Sequence, residues 1–356
     1  MQNPDDMDTK RRKFVYHFAY LNSTIRFPKP FAQFAGKPNA QHHHITFDEL
    51  GFRNAEAVGP RTGADRIRVF VLGGSTIVEG DTEADTVPGR LETILGRNGF
   101  AHARVSNFGV VSSCFAQMSA LLWSQLADFE PDLIVAVGGG TSVSNPWTFD
   151  PRPGYPYNAF VMEQLYDYLF DTSRTESLEI GLSYDDLTAI LYVRLEQLRV
   201  ECGWRTERWE RAVIEHARVS MRRFSTLASA LQTPVVCVLQ PTIVRKNHRS
   251  ESETSAGSAE YLSYLDRQYS RLEQACRDLG RSERKNALFN ILDLSGAFAD
   301  EDGQIFHDAA HYSSVGREIV AKSIAETILP ILRRRHARPA SPAFSMRRIK
   351  KFVPFA

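Results

Sequence analysis

The sequence predicts an α/β protein organised on a parallel sheet, and three observations carry that prediction. Residues 69–72, 131–138 and 234–240 are short, largely apolar runs without polar alternation, the pattern of strands covered on both faces. Stretches with apolar residues at helical spacing separate them, as in residues 115–129, where Met118, Leu121, Leu122 and Leu126 share one face. Glycine pairs follow two of the runs, Gly73-Gly74 and Gly139-Gly140, where the backbone must turn without a Cβ clash. Strands alternating with helices in this way close as βαβ units with right-handed crossovers.

Composition sets the frame. A chain of 356 residues, 43% hydrophobic and 24% charged, is long enough to bury one large core with an insertion, or two cores. A net charge of +1 argues against a whole-surface field for nucleic acid. Cys114, Cys202, Cys237 and Cys276 are scattered without a CxxC pair and read as buried free thiols. Residues 14–21 are apolar but too short for a membrane span and poorly composed for a signal peptide. A soluble, cytoplasmic protein is expected.

Taken in order, residues 1–65 read as an irregular lead-in. They carry His42, His43 and His44, but successive side chains in a helix or strand point in different directions, so no metal is assigned to them. The α/β domain is expected over residues 66–332. Its first strand ends at Gly73-Gly74-Ser75, and a helix is expected a few residues on, around the Pro88 segment. Residues 103–111 form a second strand and 131–138 a third, the most apolar and therefore central. The rhythm breaks over about 145–205, a turn-rich and then helical insertion holding Tyr166, Tyr168, Phe170, Tyr184 and Tyr192. It is expected to roof the carboxyl edge of the sheet, where inserted segments set specificity. Helices follow at 208–231, 261–279 and 315–332, with strands at 234–240 and 287–294. Residues 250–258 look polar and mobile. The tail, 333–356, has eight Lys or Arg and no Asp or Glu. It reads first as a solvated extension and second as a weak contact with an anionic surface.

The candidate chemistry starts at Ser75. A hydroxyl on the turn after a central strand sits where open α/β sheets place their ligands, although a serine there can also serve only as a helix cap. Far downstream, Asp308 and His311 are three residues apart, so on one helical turn both can approach one point. A serine needs a base to take its proton, and the base needs a third group to fix its tautomer. Ser75, His311 and Asp308 supply those roles, against the plainer alternative of an acidic residue in a helix first turn. Other motifs fail on single positions. A GxSxG elbow would need glycine where Ile77 stands, a GxGxxG fingerprint would need it at Val143, and no GxxxxGK[ST] occurs.

The set Gly73-Gly-Ser75, Asn107-Phe-Gly-Val-Val-Ser-Ser113, Gly139-Gly-Thr-Ser142 and Asp308-Ala-Ala-His311 resembles the SGNH (GDSL-type) hydrolase family. Phe52-Arg53 after Gly51, and Leu239-Gln-Pro241, resemble members with a GFR lead-in and a Gln-Pro strand end. The resemblance spans about residues 45–330 and implies a three-layer αβα, flavodoxin-like fold with a helical, aromatic-rich insertion. It implies Ser75 as nucleophile and oxyanion donor, His311 as base and Asp308 as its orienter, with no cofactor. Two oxyanion positions depart from the family pattern. Ser112 stands in place of the second-block glycine and keeps a backbone N–H. Thr141 stands in place of the third-block asparagine, with Asn145 four residues on as a substitute amide. Loss of one such donor costs on the order of 2.7–4 kcal/mol. The expected function is a serine ester hydrolase acting on an O-acylated carbohydrate or small metabolite. The alternatives are an O-acyltransferase on the same site, or a catalytically weakened member that binds a glycan or a partner.

Overall fold

The computed structural model describes residues 26–62, 66–161, 163–164 and 184–336. Five strands, β5 (Ile67–Gly73), β6 (Ala103–Gly109), β7 (Leu133–Gly138), β8 (Val235–Leu239) and β9 (Phe289–Asp293), form one sheet in the order β6-β5-β7-β8-β9. Every pairing is parallel. In sheet numbering the order is 2-1-3-4-5, the flavodoxin-like doubly wound arrangement. The strand order reverses between β5 and β7, and β7 is the middle strand, as its apolar composition predicts. Every residue of β7 and β8 is buried, whereas in the edge strand β9 only Phe289 is fully buried.

Helices cover both faces. On one, α2 (Val87–Arg97) packs against α9 (Ser314–His336). On the other, α3 (Phe115–Ser124), α6 (Glu207–Leu231) and α8 (Ala259–Ser282) pack in series. Local signals set their starts: Thr86, Thr206 and Ser258 each accept a backbone N–H of the first turn through the side-chain oxygen. Among the described residues no helix is long and apolar enough to cross a membrane.

The structure departs from the sequence reading in three places. The lead-in is not wholly irregular: β1 (Arg26–Lys29) pairs with β2 (Gln33–Gly36), and β3 (Gln41–His42) with β4 (Ile45–Thr46), both antiparallel. These strands are too short to show a period of two. The expected helix at the Pro88 segment is present as α2, but an additional short helix, α1 (Ser75–Val78), begins directly at the serine. The segment expected to be mobile contains α7 (Glu251–Thr254), whose Glu253 is 1% exposed. A helix, α4 (Gly140–Thr148), runs into the start of the insertion, and α5 (Tyr184–Glu201) lies within it. Tyr166, Tyr168, Phe170 and the tail beyond His336 lie outside the described residues.

Candidate active site

Ser75 opens α1 at the carboxyl end of β5, beside the point where the strand order reverses. The turn is tight: a Cβ on Gly73 would lie 2.2 Å from Ile77 Cγ1, so only glycine lets α1 fold back this closely. The far end of α1 is held by side chains. Asn107 Nδ2 donates to the Ile77 carbonyl at 2.9 Å, and the Arg53 guanidinium donates to that of Val78. Arg53 is itself nearly buried, and the neighbouring Phe52 packs edge-on against Phe108 at 4.9 Å. The Gly51-Phe-Arg53 lead-in is thus a brace for the serine turn. Asn54 joins it, accepting from the Asn107 N–H at 2.7 Å.

Asp308 and His311 come from the loop between β9 and α9. They do not lie on a helical turn. The Asp308 carboxylate builds the turn itself, Oδ1 accepting the N–H groups of Ala310 and His311 at 2.8 Å each. The chain closes behind them through a bridge between Phe306 and Tyr312 and a 2.8 Å bond from the His307 N–H to the His311 carbonyl. The plainer alternative, an acidic residue in a helix first turn, therefore does not apply, because α9 begins only at Ser314.

These loops bring the three side chains into one line. Ser75 Oγ is 2.6 Å from His311 Nε2, and His311 Nδ1 is 2.7 Å from Asp308 Oδ2. Burial works against the charge on Asp308, but the hydrogen bond and charge of His311 and the two N–H groups hold its carboxyl at about 2. Burial likewise works against charge on His311, yet the bond and charge of Asp308, with a further contribution from Glu79, raise its proton affinity. Asp308 is therefore an anion near neutral pH and can only accept. Neutral His311 then carries its proton on Nδ1 and turns the Nε2 lone pair to the Ser75 hydroxyl.

The remaining candidates follow β6 and β7. Ser112 adopts φ 66°, a conformation more usual for glycine. Thr141 sits in the first turn of α4, its Oγ1 3.1 Å from where a Cβ on Gly74 would stand. Asn145 is buried, and its Nδ2 donates to the Ser112 carbonyl at 3.1 Å. That bond ties the β6 loop to α4 and leaves the amide one further N–H. Tyr261 lies by the same edge: burial pushes its phenol up to about 12, with the Asp308 charge adding to the rise and a bond with Ser144 opposing it. Beside it, Trp147 stacks on Tyr264 at 4.3 Å and meets Trp204 at 5.6 Å, with Arg205 lying over both indoles. These aromatic residues differ from the tyrosines the sequence singled out.

The loop that carries Asp308 and His311 hangs on a buried ion pair. Lys246 Nζ is 2.7 Å from Glu253 Oε2, with neither side chain exposed. Glu253 Oε1 also accepts the N–H groups of Ile305 and Phe306 at 2.9 and 2.8 Å. On the other flank, Arg317 donates to the Tyr312 carbonyl at 2.9 Å and pairs with Asp85. Neither Glu253 nor Glu79 was marked by the sequence reading. Only the local capping pattern Ser250-x-x-Glu253 signals the former.

No protein-family model and no curated protein sequence matches the chain. Solved structures similar to it include an acetyl xylan esterase, at 12% identity and TM-score 0.43, covering 74% of this chain and 100% of that one. Another is a GDSL-like lipase described as putative, from Parabacteroides merdae ATCC 43184, at 11% identity and TM-score 0.44, with coverages of 75% and 98%. A third is an acetylxylan esterase from Geobacillus stearothermophilus, at 13% identity and TM-score 0.41, with coverages of 74% and 94%. The fold assignment itself rests on the strand order, 2-1-3-4-5 and all parallel.

Proposed function

We propose that the chain is a serine ester hydrolase of the SGNH type, acting on an O-acylated carbohydrate or a comparable small metabolite. The observation that carries this reading is the unbroken hydrogen-bonded line from Ser75 through His311 to Asp308, with contacts of 2.6 and 2.7 Å. In this reading Ser75 Oγ attacks the ester carbonyl as His311 Nε2 takes its proton. Asp308, kept ionised, stabilises the imidazolium that forms. The oxyanion is met by the Ser75 and Ser112 backbone N–H groups and the Thr141 hydroxyl, with Asn145 beside them. Collapse breaks the ester C–O bond, and His311 returns the proton to the leaving alcohol. The acyl-serine is then opened by water through the same base.

One observation favours a second reading, a weakened member that binds a glycan without fast turnover. The nearby amide, Asn145, already donates to a backbone carbonyl, and Thr141 offers only a short hydroxyl. Labelling with a serine-directed fluorophosphonate, followed by peptide mapping, separates the two. The hydrolase reading expects covalent label on Ser75, lost in Ser75→Ala together with turnover of p-nitrophenyl acetate and with little change in melting. Equal turnover by Ser75→Ala and the parent removes the nucleophile assignment.

A further inference from the structure

At the amino end of β5 and β6, the end opposite Ser75, lies a cavity of about 510 Å³ that the proposed chemistry does not use. It opens between these strands and the segment 56–62. Its walls carry Arg66, Arg68 and Arg104, the hydroxyls of Thr62 and Ser106, and a single carboxylate, Glu56. A recess of this volume is in the range that holds small-molecule ligands.

Two of the arginines are neighbours by register. Arg68 and Arg104 are partners on parallel strands, so both side chains leave the same face of the sheet. Like charges set side by side repel. Arg104 is partly compensated, its guanidinium lying 3.3 Å from Glu92 and 3.7 Å from Glu83. Arg68 is not. The Asp132 carboxylate accepts the Arg68 backbone N–H at 2.8 Å, but its ion pair is with Arg61, at 2.7 Å. Among the described residues no carboxylate forms an ion pair with Arg68 or Arg66.

The Arg68 side chain is nevertheless held in place. Its Nη1 donates to the Gly59 and Phe129 carbonyls at 2.8 and 2.7 Å. Among the described residues nothing accepts from its Nε or Nη2. Those two groups are the edge of a guanidinium that grips an oxyanion through paired bonds. A donor fixed in advance loses little freedom when it binds. Burial and the Arg61 charge both work against the Arg68 cation, with Asp132 and Glu130 opposing them, and an anion in the cavity offsets that burden.

We propose that this cavity is a binding site for a small phosphate ester, with the pinned Arg68 guanidinium as its bidentate anchor and Arg104 and Arg66 adding charge. The excess of cations suits a dianion, and Ser106 and Thr62 supply hydroxyls for its remaining oxygens. The volume leaves room for more than a lone ion. Glu56 matches the hydroxyls of a polar body better than a second anionic group. The site stands apart from Ser75, so it does not depend on the hydrolase reading.

The test is isothermal titration calorimetry of the full chain with glucose 6-phosphate at constant ionic strength, with glucose and acetate as controls. Saturable binding of the phosphate ester is expected, with neither control binding. Arg68→Gln should weaken it about tenfold or more, as expected for a lost bidentate charged contact. Arg68→Lys, which keeps the charge and loses the fork, should recover only part of that loss. Arg66 is exposed, so Arg66→Gln should weaken binding about threefold with no change in melting temperature. That variant keeps the test decisive if neither Arg68 variant folds. No saturable binding at about 10 mM ester overturns the proposal, as does an affinity unchanged in every variant that folds. Equal binding of acetate and the phosphate ester overturns it too, because a basic surface screened by any anion is not a site.

Discussion

Replacing Glu253 by glutamine probes how the loop carrying Asp308 and His311 is held. The carboxylate accepts Lys246 Nζ and the Ser250 N–H on Oε2, and the Ile305 and Phe306 N–H groups on Oε1. Burial alone would raise its pKa, but Lys246 and those three N–H groups hold it at about 2, against an ordinary 4.5. A depression of that size corresponds to about 3 kcal/mol of folding stability. The figure agrees with the roughly 3–5 kcal/mol lost when one partner of a buried pair is removed and the other is left charged. Because the folded value is depressed, this stability is fully present above the unfolded value near 4.5 and is lost as pH falls towards 2. Glu253→Gln should melt on the order of 5–10 °C below the parent at pH 7, and the gap should close on acidification, where the parent's own carboxyl becomes neutral. Turnover should fall as well, since Ile305 and Phe306 lead directly into the Asp308 turn. The assay is differential scanning fluorimetry from pH 7 to pH 2.5, with p-nitrophenyl acetate turnover at pH 7. A melting gap that stays constant across that range would refute the electrostatic account, and no gap at all would refute the anchoring role.

Two further perturbations address the chemistry itself. His311→Ala should remove most turnover, and adding Asp308→Ala should cost little more, because residues acting as one unit are strongly non-additive. Additive effects confined to stability would dissolve the relay. Thr141→Asn should raise turnover by up to about 100-fold if a missing amide donor limits the enzyme. No gain, together with a loss in Asn145→Ala, would assign that role to Asn145.

The sheet was legible because its signal is local. Residues 133–138 and 235–239 are apolar on both faces, and no other regular structure of that length needs such a run. Ser75 was legible for the same reason, since a glycine-rich turn after a buried strand is written in consecutive residues. Glu253 was not. It lies in a run of serine, glutamate and threonine that reads as solvated, and the groups that bury it, Ile305 and Phe306, are over 50 residues away in sequence. Arg53 shows an intermediate case. Its motif was visible as a resemblance, but its work, holding the last carbonyl of α1, depends on a contact 25 residues downstream. The Asp308–His311 spacing was read as a helical turn, whereas the carboxylate makes its own turn from two backbone N–H groups. The two geometries bring residues i and i+3 together equally well, so spacing alone does not distinguish them.

Gly74 and Thr141 look unrelated in the sequence, 67 residues apart. In the fold they are one contact. A Cβ at position 74 would stand 3.1 Å from Thr141 Oγ1 and 3.5 Å from the Ser113 carbonyl, so any side chain there presses the threonine away from the serine turn. Glycine at 74 lets the Thr141 hydroxyl come close to the turn that carries Ser75. Asn145 meanwhile ties the Ser112 carbonyl to the helix that carries Thr141. The loop after β6 and the start of α4 are therefore tied to the serine turn through Asn145, Thr141 and Gly74. It follows that Thr141→Asn and Gly74→Ala should not behave as independent changes. Each disturbs the same contact, so their combined effect on turnover should differ from the product of the two, as expected for residues that touch.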